Sequence, residues 1–196
     1  MNYTKISEQE LKKWLESNLS AERYSHSLGT AECAKKLAEK FGLNPEKAYV
    51  AGLLHDAAKC FSNEKLLEII HAHLNVEESE LQNYKTLHAP VSAYIVGKDF
   101  GVTDKEILSA IRWHTLGKLD MTDFEKIVFL ADKIEPNTRE EEKTAEIAKY
   151  LDEENGLNKA ILKCYKNTIK SLVKRDLKIC YLTIEIYNKL EDEIKP

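Results

Sequence analysis

The sequence is poor in the residues that break a chain into turns. Seven glycines and four prolines are spread over 196 residues, which disfavours a turn-rich all-β fold. The four cysteines, Cys33, Cys60, Cys164 and Cys180, form no Cys-x-x-Cys pair, which argues against a zinc-ribbon or thioredoxin-like site. Cys33 falls in a helical pattern and reads as a small core residue. The N-terminus is polar and no long apolar run occurs. Membrane insertion and secretion are therefore not expected, and a reducing cytoplasm is. Nor is there an excess of positive charge. A net charge of -4 gives no general footprint for nucleic acid, though a local basic pocket for phosphates is compatible with it.

What is present is apolar residue at helical spacing. Hydrophobic residues make up 43% of the chain and charged residues 32%, interspersed. That balance suits a soluble helical protein, and the length fits a single domain over residues 1–196 with C-terminal helices packed on it. Ser7-x-x-Glu10, Thr103-x-x-Glu106 and Thr122-x-x-Glu125 read as capping boxes. Ser20 opens a helix to Lys40, Asn44-Pro45 opens one that carries His55 and Asp56, and Ser62 caps another. Residues 72–86 read as a loop or short helix. His88-Ala-Pro90 opens a further helix, and the Thr103 box leads one to His114. Glu135-Pro136 closes the helix that ends on Asp132. Residues 139–149 are a solvated helix or loop, 157–173 a helix, and 174–178 an interruption before a last helix from Thr183 to Leu190. The run at 179–182 could be extended, but one short run makes no sheet. The class is all-α. Trp14 and Tyr187 are apolar positions that serve either ordinary packing or a homodimer contact.

Within this pattern, His26, His55, Asp56, His88, His114 and Asp132 fall on five helices, each within or beside an apolar segment. One buried histidine is usually a satisfied core residue. Four, with two carboxylates, converging in one helical bundle call for a cation, because unpaired buried polar groups are costly. Imidazole and carboxylate together suit iron, manganese or zinc. Lys59, three residues after Asp56, can hold an anionic substrate beside the metal. His71 and His73 lie in an acidic surrounding and read as surface residues.

These motifs, Arg23-Tyr-Ser-His26-Ser-Leu-Gly, Ala51-Gly-Leu-Leu-His55-Asp56-Ala-Ala-Lys59, Leu87-His88-Ala89, His114-Thr115-x-Gly117 and Glu125-Lys126-Ile-Val-Phe-Leu-Ala-Asp132-Lys-Ile-Glu-Pro136, resemble the YqeK family of HD-domain phosphohydrolases. The resemblance runs from Glu22 to Asn188 and implies an HD-domain helical bundle. It also implies a symmetrical diadenosine tetraphosphate hydrolase that binds iron, with manganese, cobalt or zinc as alternatives, and releases ADP.

By matching positions, the resemblance makes His26, His55, Asp56 and Asp132 the metal ligands, and Arg23, Lys59, His88, His114 and Thr115 nucleotide contacts. Asp56 and Lys59 would be catalytic. His88 and His114 would donate to phosphate, act as general acid, or hold a second metal. The family's arginine after Glu-Pro-Asn is replaced here by Thr138, with Arg139 one residue late. Lys174-Arg175-Asp176 lacks the usual glycine and Lys178-Ile-Cys-Tyr the usual His-Pro. This leaves open the substrate contacts expected of Arg139, Lys174 and Arg175. The competing functions are another HD-type nucleotide phosphohydrolase, such as a nucleotidase, deoxynucleoside triphosphatase or cyclic-nucleotide phosphodiesterase, and a non-catalytic nucleotide sensor.

Overall fold

The computed structural model describes residues 2–81 and 83–194, the side chain of Ser79 aside. Among them there is no strand, and the all-α expectation is borne out. In chain order the helices are α1 (Glu8–Asn18), α2 (Ala21–Lys40), α3 (Pro45–Leu54), α4 (Asn63–His73), the short α5 (Glu78–Leu81), α6 (His88–Lys98), α7 (Lys105–Trp113), α8 (Asp123–Ile134), α9 (Glu141–Ala148), α10 (Gly156–Lys174) and α11 (Tyr181–Ile194). None is long and apolar enough to cross a membrane.

The caps explain most of these boundaries. Ser7 and Thr122 form complete capping boxes with Glu10 and Glu125, and Ser20, Asn44 and Ser62 each accept an amide of the first turn. The Thr103 box does not form. Asp104 caps α7 instead, its carboxylate accepting from the amides of Glu106 and Ile107. An aspartate at this position satisfies two orphan donors and also complements the helix dipole. The charged stretch after Arg139 takes the helical of its two expected forms, as α9, whereas α11 starts at Tyr181 and leaves no extended run to Leu182.

The core is built around α2, α3, α7 and α8. Helix α2 lies along α3 and against α8, and α7 bridges α3, α6 and α8. Helix α10 closes on α8, and α11 packs on α10. Leu53, Leu54, Ile107, Ile111, Ile127 and Leu130 are fully buried at these contacts. Trp14 and Tyr187 are both half-buried. The Trp14 ring stands edge-on to Phe100 at 5.0 Å, and Tyr187 packs against the core while its hydroxyl donates to Glu191.

Helices α2 and α3 approach closely at Gly52. A Cβ there would lie 2.8 Å from the Thr30 carbonyl oxygen and 2.9 Å from the Ala31 Cα. Both are main-chain atoms that cannot rotate away. Gly52→Ala is therefore expected to destabilise the protein by about 1–3 kcal/mol, or roughly 2–4 °C of Tm per kcal/mol. Thermal melting checks this, and an unchanged or raised Tm would contradict the packing described.

Candidate metal centre

Helix α3 ends at Leu54, so His55 and Asp56 are not carried on the helix as expected but leave it. The chain tightens into successive turns, with Ala57 N on Leu54 O, Lys59 N on Asp56 O at 2.9 Å and Phe61 N on Ala58 O. The small buried residues Ala57 and Ala58 let these turns sit in the core, and the Ser92 hydroxyl of α6 accepts the Ala58 amide at 2.9 Å. Asp56 is thereby aimed inward. His114 likewise follows the last residue of α7, while His88 is the first of α6. His26 and Asp132 come from within α2 and α8.

All six side chains are buried and meet. His26 Nε2 lies 2.9 Å from Asp132 Oδ1 and 3.3 Å from His55 Nε2. His55 Nε2 is 3.7 Å from Asp56 Oδ2 and 3.8 Å from Asp132 Oδ1. On the other side of Asp56, His88 Nε2 is 3.1 Å and His114 Nε2 3.6 Å from Oδ1, with 3.2 Å between the two rings' Nε2 atoms. Two groups of potential ligands result, His26–His55–Asp56 and Asp56–His88–His114, sharing one carboxylate.

Hydrogen bonding fixes the tautomers. His55 Nδ1 donates to the Gly52 carbonyl and His114 Nδ1 to the Ile111 carbonyl, both at 2.7 Å. Burial pushes the His55 ring down to about 4 and lowers His114 and His88, each against the pull of the neighbouring carboxylates. Neutral rings with a proton on Nδ1 present bare Nε2 lone pairs to the centre. Burial also works to raise Asp56, but His55 and the adjoining His114 and His88 rings hold it well below the usual carboxylate range. Asp132 is held low in the same way, against burial, by Lys133 and His26. Asp56 Oδ1 is nevertheless buried without a hydrogen bond of acceptable geometry.

Bare nitrogens and an orphaned carboxylate oxygen are what a divalent cation would satisfy. Donors each about 2.0–2.2 Å from a common ion stand at separations comparable to those around His26, His55, Asp56 and Asp132. The residues fit a metal.

Cations surround the two carboxylates. Arg23 Nη1 is 3.4 Å from Asp56 Oδ2, Lys59 Nζ is 3.8 Å from Asp56 Oδ1 and 3.0 Å from His88 Nε2, and Thr115 Oγ1 is 3.0 Å from His114 Nε2. Burial lowers Lys59. Lys133 Nζ sits 2.6 Å from Asp132 Oδ2, and Arg139 Nη2 2.9 Å from Asp132 Oδ1. Lys133 and Arg139 also line an open groove of about 650 Å³ with Lys143, Lys170 and Arg175. Lys174 is exposed and does not line it. The turn after α10 keeps a left-handed residue despite lacking glycine, because Asp176 adopts φ 51°, which aspartate tolerates better than most side chains. Sequence reasoning left Lys133 without a role, although it adjoins Asp132. His71 and His73 are exposed as expected, and His73 stacks on Tyr94 at 5.0 Å.

The protonation pattern sets a pH response. Unfolded histidines titrate near 6.5, whereas folded His55 titrates at about 4. Between these values protons bind the unfolded chain first, so stability present above pH 6.5 is lost as pH falls toward 4. The lowered carboxylates add a loss of the same sign at still lower pH. The Tm of chelator-treated protein is expected to fall from pH 7 to pH 5; a flat or rising Tm would contradict the neutral, buried assignment.

Comparison with known proteins agrees with this geometry. Residues 23–137 match the HD domain family. The symmetrical bis(5'-nucleosyl)-tetraphosphatase of Bacillus subtilis (strain 168) is 39% identical over 181 residues, covering 90% of this chain and 93% of the relative. The protein of the same name from Staphylococcus aureus (strain NCTC 8325 / PS 47) is 33% identical over 190 residues, covering 95% and 97%. A crystal structure from Clostridium acetobutylicum, described as a predicted HD superfamily hydrolase involved in NAD metabolism, superposes with a TM-score of 0.88 at 36% identity, covering 96% of this chain and 98% of that one. With its buried His-Asp centre and these full-length relatives, the chain belongs to the HD domain family, on the YqeK branch that its motifs resemble.

Proposed function

We propose that this chain hydrolyses diadenosine tetraphosphate symmetrically to two ADP, using a divalent metal. The observation that carries the reading is the buried pair of bare imidazole nitrogens and two carboxylates, ringed by Arg23, Lys59, Lys133 and Arg139, the last two of which also line a groove with Lys143, Lys170 and Arg175. The names of the Bacillus and Staphylococcus relatives give the substrate class.

His26, His55, Asp56 and Asp132 would hold the ion, and the mixed nitrogen–oxygen set suits iron, with manganese, cobalt or zinc as alternatives. When bound, such an ion polarises a phosphate oxygen and acidifies water. The remaining work falls to the chain. Arg23 and Lys59 flank Asp56 and offset charge on the transferred phosphoryl group, where positioning and electrostatics dominate. His88 lacks a main-chain acceptor of the kind that fixes His55 and His114; Lys59, Thr115 and Asp56 surround its Nε2. It is the group placed to donate to a phosphate oxygen or to the leaving group. With His114 and Asp56 Oδ1 it is alternatively a second ion site. Arg139 and Arg175 line the groove and would meet the distal nucleotide. Cys33, Cys60 and Cys164 are free thiols, which suits the reducing cytoplasm we assign to the reaction.

The test is product analysis with iron(II) under reducing conditions. ADP alone is expected. ATP plus AMP would contradict symmetrical cleavage, and turnover of NAD or deoxynucleoside triphosphates in its place would move the chain to another HD-type activity. Asp56→Ala is expected to lose bound metal and turnover together; an active, metal-free variant would overturn the centre. Lys59→Ala should retain metal while kcat falls about 100-fold, and unchanged turnover would remove Lys59 from the mechanism.

A further inference from the structure

His26 differs from the other rings of the centre in what holds its second nitrogen. His55 and His114 use main-chain carbonyls, but His26 Nδ1 faces a carboxylate, Glu135 Oε1, at 3.0 Å. Glu135 is fully buried, immediately after α8, where the helix dipole is unfavourable to a negative charge. Every other hydrogen bond its carboxylate accepts comes from the following turn. It accepts from the Asn137 amide at 2.6 Å, from the Thr138 amide at 3.1 Å, and from the Thr138 hydroxyl. Gly29 of α2 leaves the room, since a Cβ there would fall 2.2 Å from Glu135 Oε2.

This arrangement accounts for the threonine standing at the family's arginine position. The Thr138 side chain turns inward to Glu135 and lies 3.3 Å from His26 Nδ1. Arg139 takes the outward place, on the Asp132 carbonyl at 3.0 Å and along the groove.

We infer that Glu135, clamped by Thr138, is the positioning residue that keeps the His26 proton on Nδ1 and turns a bare Nε2 toward the ion. The inference rests on the metal reading of the centre and deepens it. A carboxylate on the far nitrogen fixes ring orientation and raises the basicity of the ligating one, more than a carbonyl does. Glutamine at 135 has one acceptor oxygen for the turn amides and for His26. The turn offers more donors, so its oxygen stays there and its amide NH₂ faces Nδ1. That reverses the His26 tautomer and places a proton on the nitrogen needed by the metal.

The test uses the full chain and zinc(II) alone, independent of any substrate. Chelator competition gives the affinity, and long-range ¹H–¹⁵N correlation spectra locate the His26 proton. Glu135→Gln is expected to bind zinc about 10- to 100-fold more weakly, with the proton of the metal-free ring on Nε2. Thr138→Val, which keeps the charge and removes the hydroxyl clamp, is expected to weaken binding several-fold and to expose the Nδ1 proton to faster exchange. Should Glu135→Gln fail to fold, Thr138→Val decides. Zinc bound through His26 with unchanged affinity in the folded variant, and with the Nδ1 proton in place, would overturn this role while leaving the centre intact. Zinc bound without any change at His26 in the wild-type protein would overturn the centre itself.

Discussion

The organisation of this molecule depends on one costly arrangement, a buried aspartate ringed by imidazole nitrogens, of which those of His55 and His114 carry no proton. Asp56 Oδ1 has no hydrogen bond of acceptable geometry, yet His88 and His114 point Nε2 at it from 3.1 Å and 3.6 Å. Lone pairs converging on a carboxylate repel, and burial removes the water that would relieve them. A cation resolves both problems at once. The surrounding lysines and arginines pair with Asp56 and Asp132, and of them only Lys59 also reaches a ring nitrogen, His88 Nε2.

The fold serves that arrangement mainly through the ends of helices. His55 and His114 follow the last residues of α3 and α7 and bond back to carbonyls of those helices, while His88 opens α6. A helix end supplies the free carbonyl that a ring in the helix interior could not reach. The cost of such ends is borne by close packing elsewhere, with Gly52 allowing α3 to touch the backbone of α2 and Ser92 tying the turn after Asp56 to α6. The outer support is equally specific, since Glu135 occupies a position that neither burial nor the helix dipole favours.

Much of this was legible in the sequence because the signals were local. Capping residues at Ser7, Ser20, Ser62 and Thr122 marked helix starts, and the apolar surroundings of His26, His55, His88, His114 and Asp132 marked burial. What was not legible depended on tertiary contact. The end of α3 at Leu54 is set by the turn that Ser92 supports, which no periodicity announces. Asp104 displaced Thr103 as a cap because both types can serve and the aspartate carboxylate accepts two amides of the first turn. Glu135 read as the residue before a proline; its contact with His26 spans more than a hundred residues of sequence. Thr138 looked like a loss at an arginine position, and only its inward orientation gives it work.

The most direct test of the central claim is anomalous diffraction from crystals grown with a divalent transition metal, collected on both sides of its absorption edge. The account predicts a peak bounded by His26 Nε2, His55 Nε2, Asp56 and Asp132. No peak at that position, with the metal held at His71 and His73 or elsewhere on the surface, would contradict it.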